Sequence, residues 1–340
     1  MQNDIQGYGY ADVDAAVRVL TSHELFHGVQ AAYAQSEAVW FLEGTAVWGE
    51  HLYDPYNDDF LRFCSAYLDD VSRSLSEPPA GPVPTFAYAT AIWWFHLADT
   101  YGDDVIVELM EAFADAPGDD ELLVAMSEVL AGRGGSLEGD FVRFASRNLA
   151  TGDRAGALTG EYPFAADLRQ LRAEADGESI EEEDRVYPLA TVYYQVGWAG
   201  GDFFVATADE APDLALALHG LDAEGRLLAA MAVPEAGPVE QSWAADAGSY
   251  WLVVSNPTLA ENSTKTVVCV GSRDDVSPCL DAGNAGDTGA GDDADSGEPA
   301  GSTNDCGCQS GAAPSTTVLL ALAMAIRVGA RYGGHTKEQT

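Results

Sequence analysis

The apolar residues change their spacing near residue 185, and this change constrains the fold more than any other feature of the sequence. Before it, apolar residues recur at the i, i+3, i+4 spacing that is typical of helices. After it, seven short strand-like runs between Tyr187 and Val270 are separated by Gly, Asp and Pro turns. The sequence therefore predicts a mostly helical domain at 1–165, an acidic hinge at 166–184 and an all-β sandwich at 185–272.

The helical part contains one H-E-x-x-H sequence, in which His23 and His27 lie four residues apart. The preceding Val13–Leu20 favours a helix and lacks Pro and Gly. If the helix continues, the two imidazoles stand one turn apart on the same face. Neutral imidazoles at this spacing suit Zn²⁺, and Glu24 can reach a metal-bound water. The alternative is a helix that carries two histidines by accident.

A second predicted helix at 40–50 offers the third ligand. Zinc held by two histidines needs another protein ligand, and an open fourth position if it is catalytic. Glu43 fits, because a lone carboxylate inside an apolar helix is costly unless it is paired or coordinated. Glu50, two turns later, is either a rival ligand or a hydrogen-bond partner for a histidine N–H. Glu43 could also be an ordinary surface glutamate.

The sequences H-E-L-F-H-G-V-Q at 23–30 and W-F-L-E-G-T-A-V-W-G-E at 40–50 resemble the gluzincins, which are zinc peptidases with a downstream Glu on a second helix. They are most similar to the surface metalloproteases of myxobacteria and their relatives. The resemblance continues at 53–61 and 141–154, so it covers about residues 10–165.

This resemblance implies a zincin-like helical domain with one catalytic Zn²⁺ held by His23, His27 and Glu43. Glu24 is then the general base that assists attack of water on a peptide bond, and the substrate is a peptide or protein. Gluzincins have a β-sheet upstream of the zinc helix, whereas few residues precede His23 here. The alternative function is therefore a catalytically inactive, surface-anchored binding protein on a degenerate metalloprotease scaffold.

The apolar helix predicted at 86–97 supplies two candidates for stabilising the oxyanion, Tyr88 and His96. Gluzincins often use a Tyr or His in this role, and a donor there would stabilise the tetrahedral intermediate. Aromatic residues at helical spacing usually pack in a core, which is the alternative for both.

Charge and cysteine content bear on partners and compartment. The chain has 55 acidic and 16 basic residues and a net charge of −39, which disfavours nucleic acid and anionic lipid as partners. Among five cysteines, Cys269 and Cys279 are candidates for a disulfide, which would require an oxidising compartment. The first residues carry no secretory signal.

The C-terminal part points to export. Residues 273–305 are acidic and of low complexity, which predicts a disordered stalk. Cys306, the short apolar helix predicted at 316–326 and the following arginines resemble the myxobacterial C-terminal sorting tail. The resemblance implies that a sorting protease cuts the tail, 306–340, near Cys306, and that the protein is held at the cell surface or outer membrane. Membrane contact is then limited to this tail. The alternative is that the tail is a plain membrane anchor. An exported protein needs a signal peptide, so its absence from this sequence indicates a late start site.

Overall fold

The structure is a computed structural model in which helices come first and strands follow. It describes the following residues: 10, 12–33, 38–77, 85–115, 119–156, 161–207, 213–221, 231–233, 241–245, 248–259 and 263–284.

Among the described residues, eight α-helices form the first region, as the apolar spacing predicts. They are α1 (Val13–Tyr33), α2 (Val39–Tyr53), α3 (Phe60–Tyr67), α4 (Thr85–Ala89), α5 (Ala91–Tyr101), α6 (Asp104–Ala112), α7 (Asp119–Gly132) and α8 (Leu137–Asn148). Their shared core is strongly aromatic, with Trp40 of α2 stacked on Trp94 of α5 at 5.2 Å between ring centroids. This aromatic packing holds α2 firmly in the middle of the helical region.

In the part of the chain that the structure describes, nine β-strands follow, in two sheets. They are β1 (Ala175–Gly177), β2 (Ile180–Val186), β3 (Ala190–Trp198), β4 (Gly201–Thr207), β5 (Ala215–Gly220), β6 (Met231–Val233), β7 (Gln241–Ala245), β8 (Gly248–Asn256) and β9 (Thr264–Gly271). One sheet has the order β1-β3-β8-β5-β6 and the other β2-β9-β4-β7. All the strand pairs are antiparallel except β1 with β3.

The strands β3, β5 and β8 of the five-stranded sheet are buried on both faces. Along β3, Val192 and Tyr194 pack against the other sheet, whereas Tyr193 between them belongs to the core of the helices. The Tyr193 hydroxyl donates a hydrogen bond to the carbonyl of Ala145 on α8, at 2.9 Å. Because side chains alternate between the faces of a strand, one sheet serves two cores. The five-stranded sheet therefore packs against the helices as well as against the four-stranded sheet.

The predicted hinge at 166–184 contributes to this packed structure. Leu168 and Leu171 are buried in the core of the helices. The acidic residues Glu181–Asp184 lie in β2, which pairs with β9 at one edge of the four-stranded sheet. The sequence pattern failed here because β2 is an edge strand, and such strands tolerate a row of charged side chains.

The disordered stalk predicted at 273–305 is wrong in its first twelve residues, which form a helix. Residues Arg273–Asn284 form a further helix, α9, in which Val276 and Cys279 face the four-stranded sheet. Cys279 forms a disulfide with Cys269 of β9, the pair suggested from the sequence. The low-complexity pattern of the sequence did not reveal this helix, because only two of its residues, Val276 and Cys279, supply the buried contacts, and the disulfide supplies the third link to the sheet.

In the part of the chain that the structure describes, no helix combines the length and apolar character needed to cross a bilayer. The remaining stalk, Cys306 and the apolar helix predicted at 316–326 lie outside the described residues.

Candidate metal centre

Helices α1 and α2 lie antiparallel and in close contact, and the candidate site lies between them. His23 of α1 contacts Glu50 near the end of α2, whereas Gln30 contacts the Leu42 carbonyl near its beginning. A Cβ atom on Gly49 would come within 2.4 Å of the Phe26 ring. The missing side chain of Gly49 therefore allows the two helices to approach closely enough to share polar contacts.

Three potential ligand atoms converge between the helices. His23 Nε2 lies 3.1 Å from His27 Nε2 and 3.0 Å from Glu43 Oε2, and His27 Nε2 lies 3.6 Å from Glu43 Oε2. Zinc bonds of about 2.0–2.2 Å in a tetrahedron place ligand atoms about 3.3–3.6 Å apart. The observed separations are close to this spacing, and the three residues could hold a metal ion.

Glu50 occupies the opposite side of His23 from Glu43. Its Oε1 lies 2.7 Å from His23 Nδ1, and the residue is 2% exposed. A carboxylate accepts hydrogen bonds, so Nδ1 carries the hydrogen and Nε2 faces Glu43. Of the two carboxylates suggested as ligands, the structure thus places Glu43 beside the two Nε2 atoms and Glu50 behind the His23 ring.

A proton competes with a metal ion for the ligand atoms of this site. Burial lowers the pKa of His23, but hydrogen bonds to Glu43 and Glu50 outweigh burial and raise the pKa to about 9. Burial likewise raises the pKa of Glu43, and hydrogen bonds from His23 and His27 reverse this and lower it to about 2. At neutral pH the protein without metal therefore holds a proton among these groups, which a bound cation would replace.

Gln30 is a site residue that sequence reasoning missed. Its Oε1 lies 2.7 Å from His27 Nδ1, so both histidines have a partner on the nitrogen that faces away from Glu43. The signal was its position three residues after His27, on the same face of α1. Glutamine at that spacing is too common on helices to have singled it out.

Tyr88 lies next to His23, and Glu24 is close enough to Tyr88 for its charge to act on the hydroxyl. Glu24 is exposed on α1, and the Tyr88 ring centroid lies 5.6 Å from that of His23. Burial raises the pKa of Tyr88, and the negative charges of Glu43 and Glu24 raise it further. Tyr88 is therefore a protonated hydroxyl at neutral pH, close to both carboxylates.

His96, the other oxyanion candidate, lies in the core instead. It is 2% exposed, its ring stacks on Trp93, and its Nδ1 lies 3.4 Å from Arg147 Nη1. Burial, reinforced by the charge of Arg147, lowers the pKa of His96 to about 3. The structure therefore places His96 in the aromatic core, the alternative to the oxyanion role that the sequence also offered.

We expect His96 to make the fold sensitive to acid. The folded pKa of about 3 lies below the model-compound value of 6.5, so the stabilising effect of the neutral ring is complete above pH 6.5. It is lost as the pH falls toward 3, because the unfolded chain takes up the proton first. Urea unfolding at a series of pH values should show that His96→Leu loses less stability than the wild type over this range. Parallel curves for the two proteins would contradict the prediction, since the carboxylates are the same in both.

Comparison with known proteins adds little to this geometry. No protein-family model and no curated protein matches the chain. Among solved structures, the pre-peptidase C-terminal domain of a collagenase from Bacillus anthracis is similar at 16% identity and a TM-score of 0.23, covering 30% of this chain and 98% of that one.

Proposed function

We propose that the protein is a zinc-dependent endopeptidase of the gluzincin type. The observation that carries the proposal is the convergence of His23 Nε2, His27 Nε2 and Glu43 Oε2 at one point between α1 and α2. With Nδ1 of each ring engaged elsewhere, these atoms bring three lone pairs together. Such an arrangement is unfavourable unless a proton or a cation lies among them.

The ligand set favours zinc with an open position. Two imidazoles and one carboxylate are a common set for catalytic Zn²⁺, which keeps a fourth position for water or substrate. Softer ions would prefer sulfur, and Mg²⁺ or Ca²⁺ would prefer oxygen ligands alone. His23, His27 and Glu43 would hold the ion, which supplies a Lewis acid and an acidified water.

The remaining residues supply proton transfer and orientation. Glu24 is exposed and adjoins His23 on α1, and we assign it the role of general base, in which its carboxylate would accept a proton from the attacking water and pass it to the leaving amine. Glu50 holds the His23 ring through Nδ1. The Tyr88 hydroxyl, protonated beside Glu43 and Glu24, is the available donor for the oxyanion.

We also propose that the protein is exported and held at the cell surface. The disulfide between Cys269 and Cys279 supports an oxidising compartment. Surface retention and processing near Cys306 depend on the resemblance of residues 306–340 to a sorting tail.

Metal content and hydrolysis, measured on the same preparation, test the proposal. We expect one zinc ion per chain after dialysis, cleavage of a mixture of unstructured peptides, loss of cleavage with a chelator and recovery on adding zinc. A preparation without stoichiometric zinc would overturn the assignment. Stoichiometric zinc without cleavage of any peptide would favour the inactive binding scaffold.

A further inference from the structure

We propose that Gln30 is a positioning residue that fixes the ring of His27 with Nε2 toward the ion, and that Thr45 fixes Gln30. The inference rests on the proposed function, since it concerns how the same centre binds its metal. It follows from a chain of hydrogen bonds in which each donor determines the next, beginning at the backbone of α2.

The first bond sets the direction of the Thr45 hydroxyl. Thr45 Oγ1 lies 2.7 Å from the carbonyl oxygen of Phe41. A carbonyl oxygen can only accept, so the single hydrogen of the hydroxyl points to Phe41. Toward every other neighbour Oγ1 can then only accept.

The second step sets the orientation of the Gln30 amide. One atom of this amide lies 2.7 Å from Thr45 Oγ1 and 2.8 Å from the carbonyl oxygen of Leu42. Both of these neighbours are acceptors, so the atom between them must be the NH₂ nitrogen. The other amide atom, which faces His27, must then be the oxygen.

The third step sets the tautomer of His27. Gln30 Oε1 lies 2.7 Å from His27 Nδ1 and can only accept, so Nδ1 carries the hydrogen. The neutral ring therefore has its lone pair on Nε2, which faces His23 Nε2 at 3.1 Å and Glu43 Oε2 at 3.6 Å. Histidine ligands of metals are generally oriented in this way by a partner on the second nitrogen.

Burial prevents water from taking over this role. Gln30 is 2% exposed and Thr45 is fully buried. The histidines are also oriented by different groups, since His23 relies on the carboxylate of Glu50 and His27 on an amide. Removing the amide oxygen would therefore leave His27 free to adopt either tautomer, without changing the charge at the centre.

Zinc affinity and the His27 tautomer test the inference in the full chain. Gln30→Met keeps the length of the side chain and removes the acceptor, and we expect it to weaken zinc binding about 10- to 100-fold. NMR shifts of the ring nitrogens in the metal-free protein, at a pH above the histidine titration, should show the Nδ1–H tautomer of His27 in the wild type and a mixture of the Nδ1–H and Nε2–H tautomers in the variant. Thr45→Val should produce the same two changes to a smaller degree.

Thr151→Val is the matched control, because Thr151 is also fully buried and donates to a backbone carbonyl, that of Asn148, away from this chain of bonds. It should leave both measurements unchanged. If the wild type binds zinc and both Gln30→Met and Thr45→Val bind it equally well with an unchanged tautomer, the inference is wrong. Should Gln30→Met fail to fold, Thr45→Val decides alone. A wild type that binds no zinc would instead overturn the proposed function itself.

Discussion

Replacing Glu24 with glutamine is expected to slow peptide hydrolysis about a hundred- to ten-thousand-fold while the metal stays bound. The amide has nearly the shape of the carboxylate but cannot take the proton of the attacking water. Because Glu24 is exposed and is not one of the three residues whose ligand atoms converge, the zinc content should match that of the wild type.

Initial rates and zinc content of the two proteins, measured at equal concentration, check this expectation. Glu111→Gln is a matched control, since Glu111 is an exposed helical glutamate on α6. Its rate should equal that of the wild type. Full activity of Glu24→Gln would remove Glu24 from the proposed mechanism, and loss of zinc would show that Glu24 takes part in holding the ion.

Glu43→Gln is expected to weaken zinc binding at least about 100-fold, because structural zinc sites bind with about 10–16 kcal/mol in total and one ligand accounts for about 3 kcal/mol of it. Glu50→Gln should weaken binding by only about tenfold, since an amide oxygen can still accept from His23 Nδ1. The two substitutions are chemically identical and lie two turns apart on α2.

Competition titrations with a zinc chelator provide the measurement. A larger loss in Glu50→Gln than in Glu43→Gln would make Glu50 the ligand and require a rearranged centre. Thermal unfolding of both metal-free variants shows whether either loss of affinity comes from a change in the fold.

The sequence could predict which residues meet at this centre but not what each of them contacts. The four-residue spacing of His23 and His27 fixes their common face on any helix. Glu43 and Glu50 are seven residues apart, so they share a face of α2 and are both candidates. Only the position of each helix along the other shows that Glu43 faces Nε2 of His23 and Glu50 faces Nδ1.

The sequence pattern predicted most of the strands but not all of them. It predicted seven strand-like runs, which correspond to β3–β9. It missed β2, whose central residues are charged, and β1, which has only three residues. Burial is nearly continuous along β3 because both faces of its sheet are covered, whereas a strand with one face in water alternates between buried and exposed residues.

The double-sided sheet also determines how the chain can be shortened for further work. Tyr193 and Trp251 belong to the core of the helices, and the guanidinium of Arg154 lies 4.5 Å over the Trp251 ring while donating to the carbonyl oxygens of Leu149 and Leu171. Ending expression at residue 165 would remove these aromatic rings from the helical region that contains the candidate metal centre, and would expose the hydrophobic residues that they cover. The natural place for a cut lies after α9, where Asn284 ends the helix that the disulfide ties to β9.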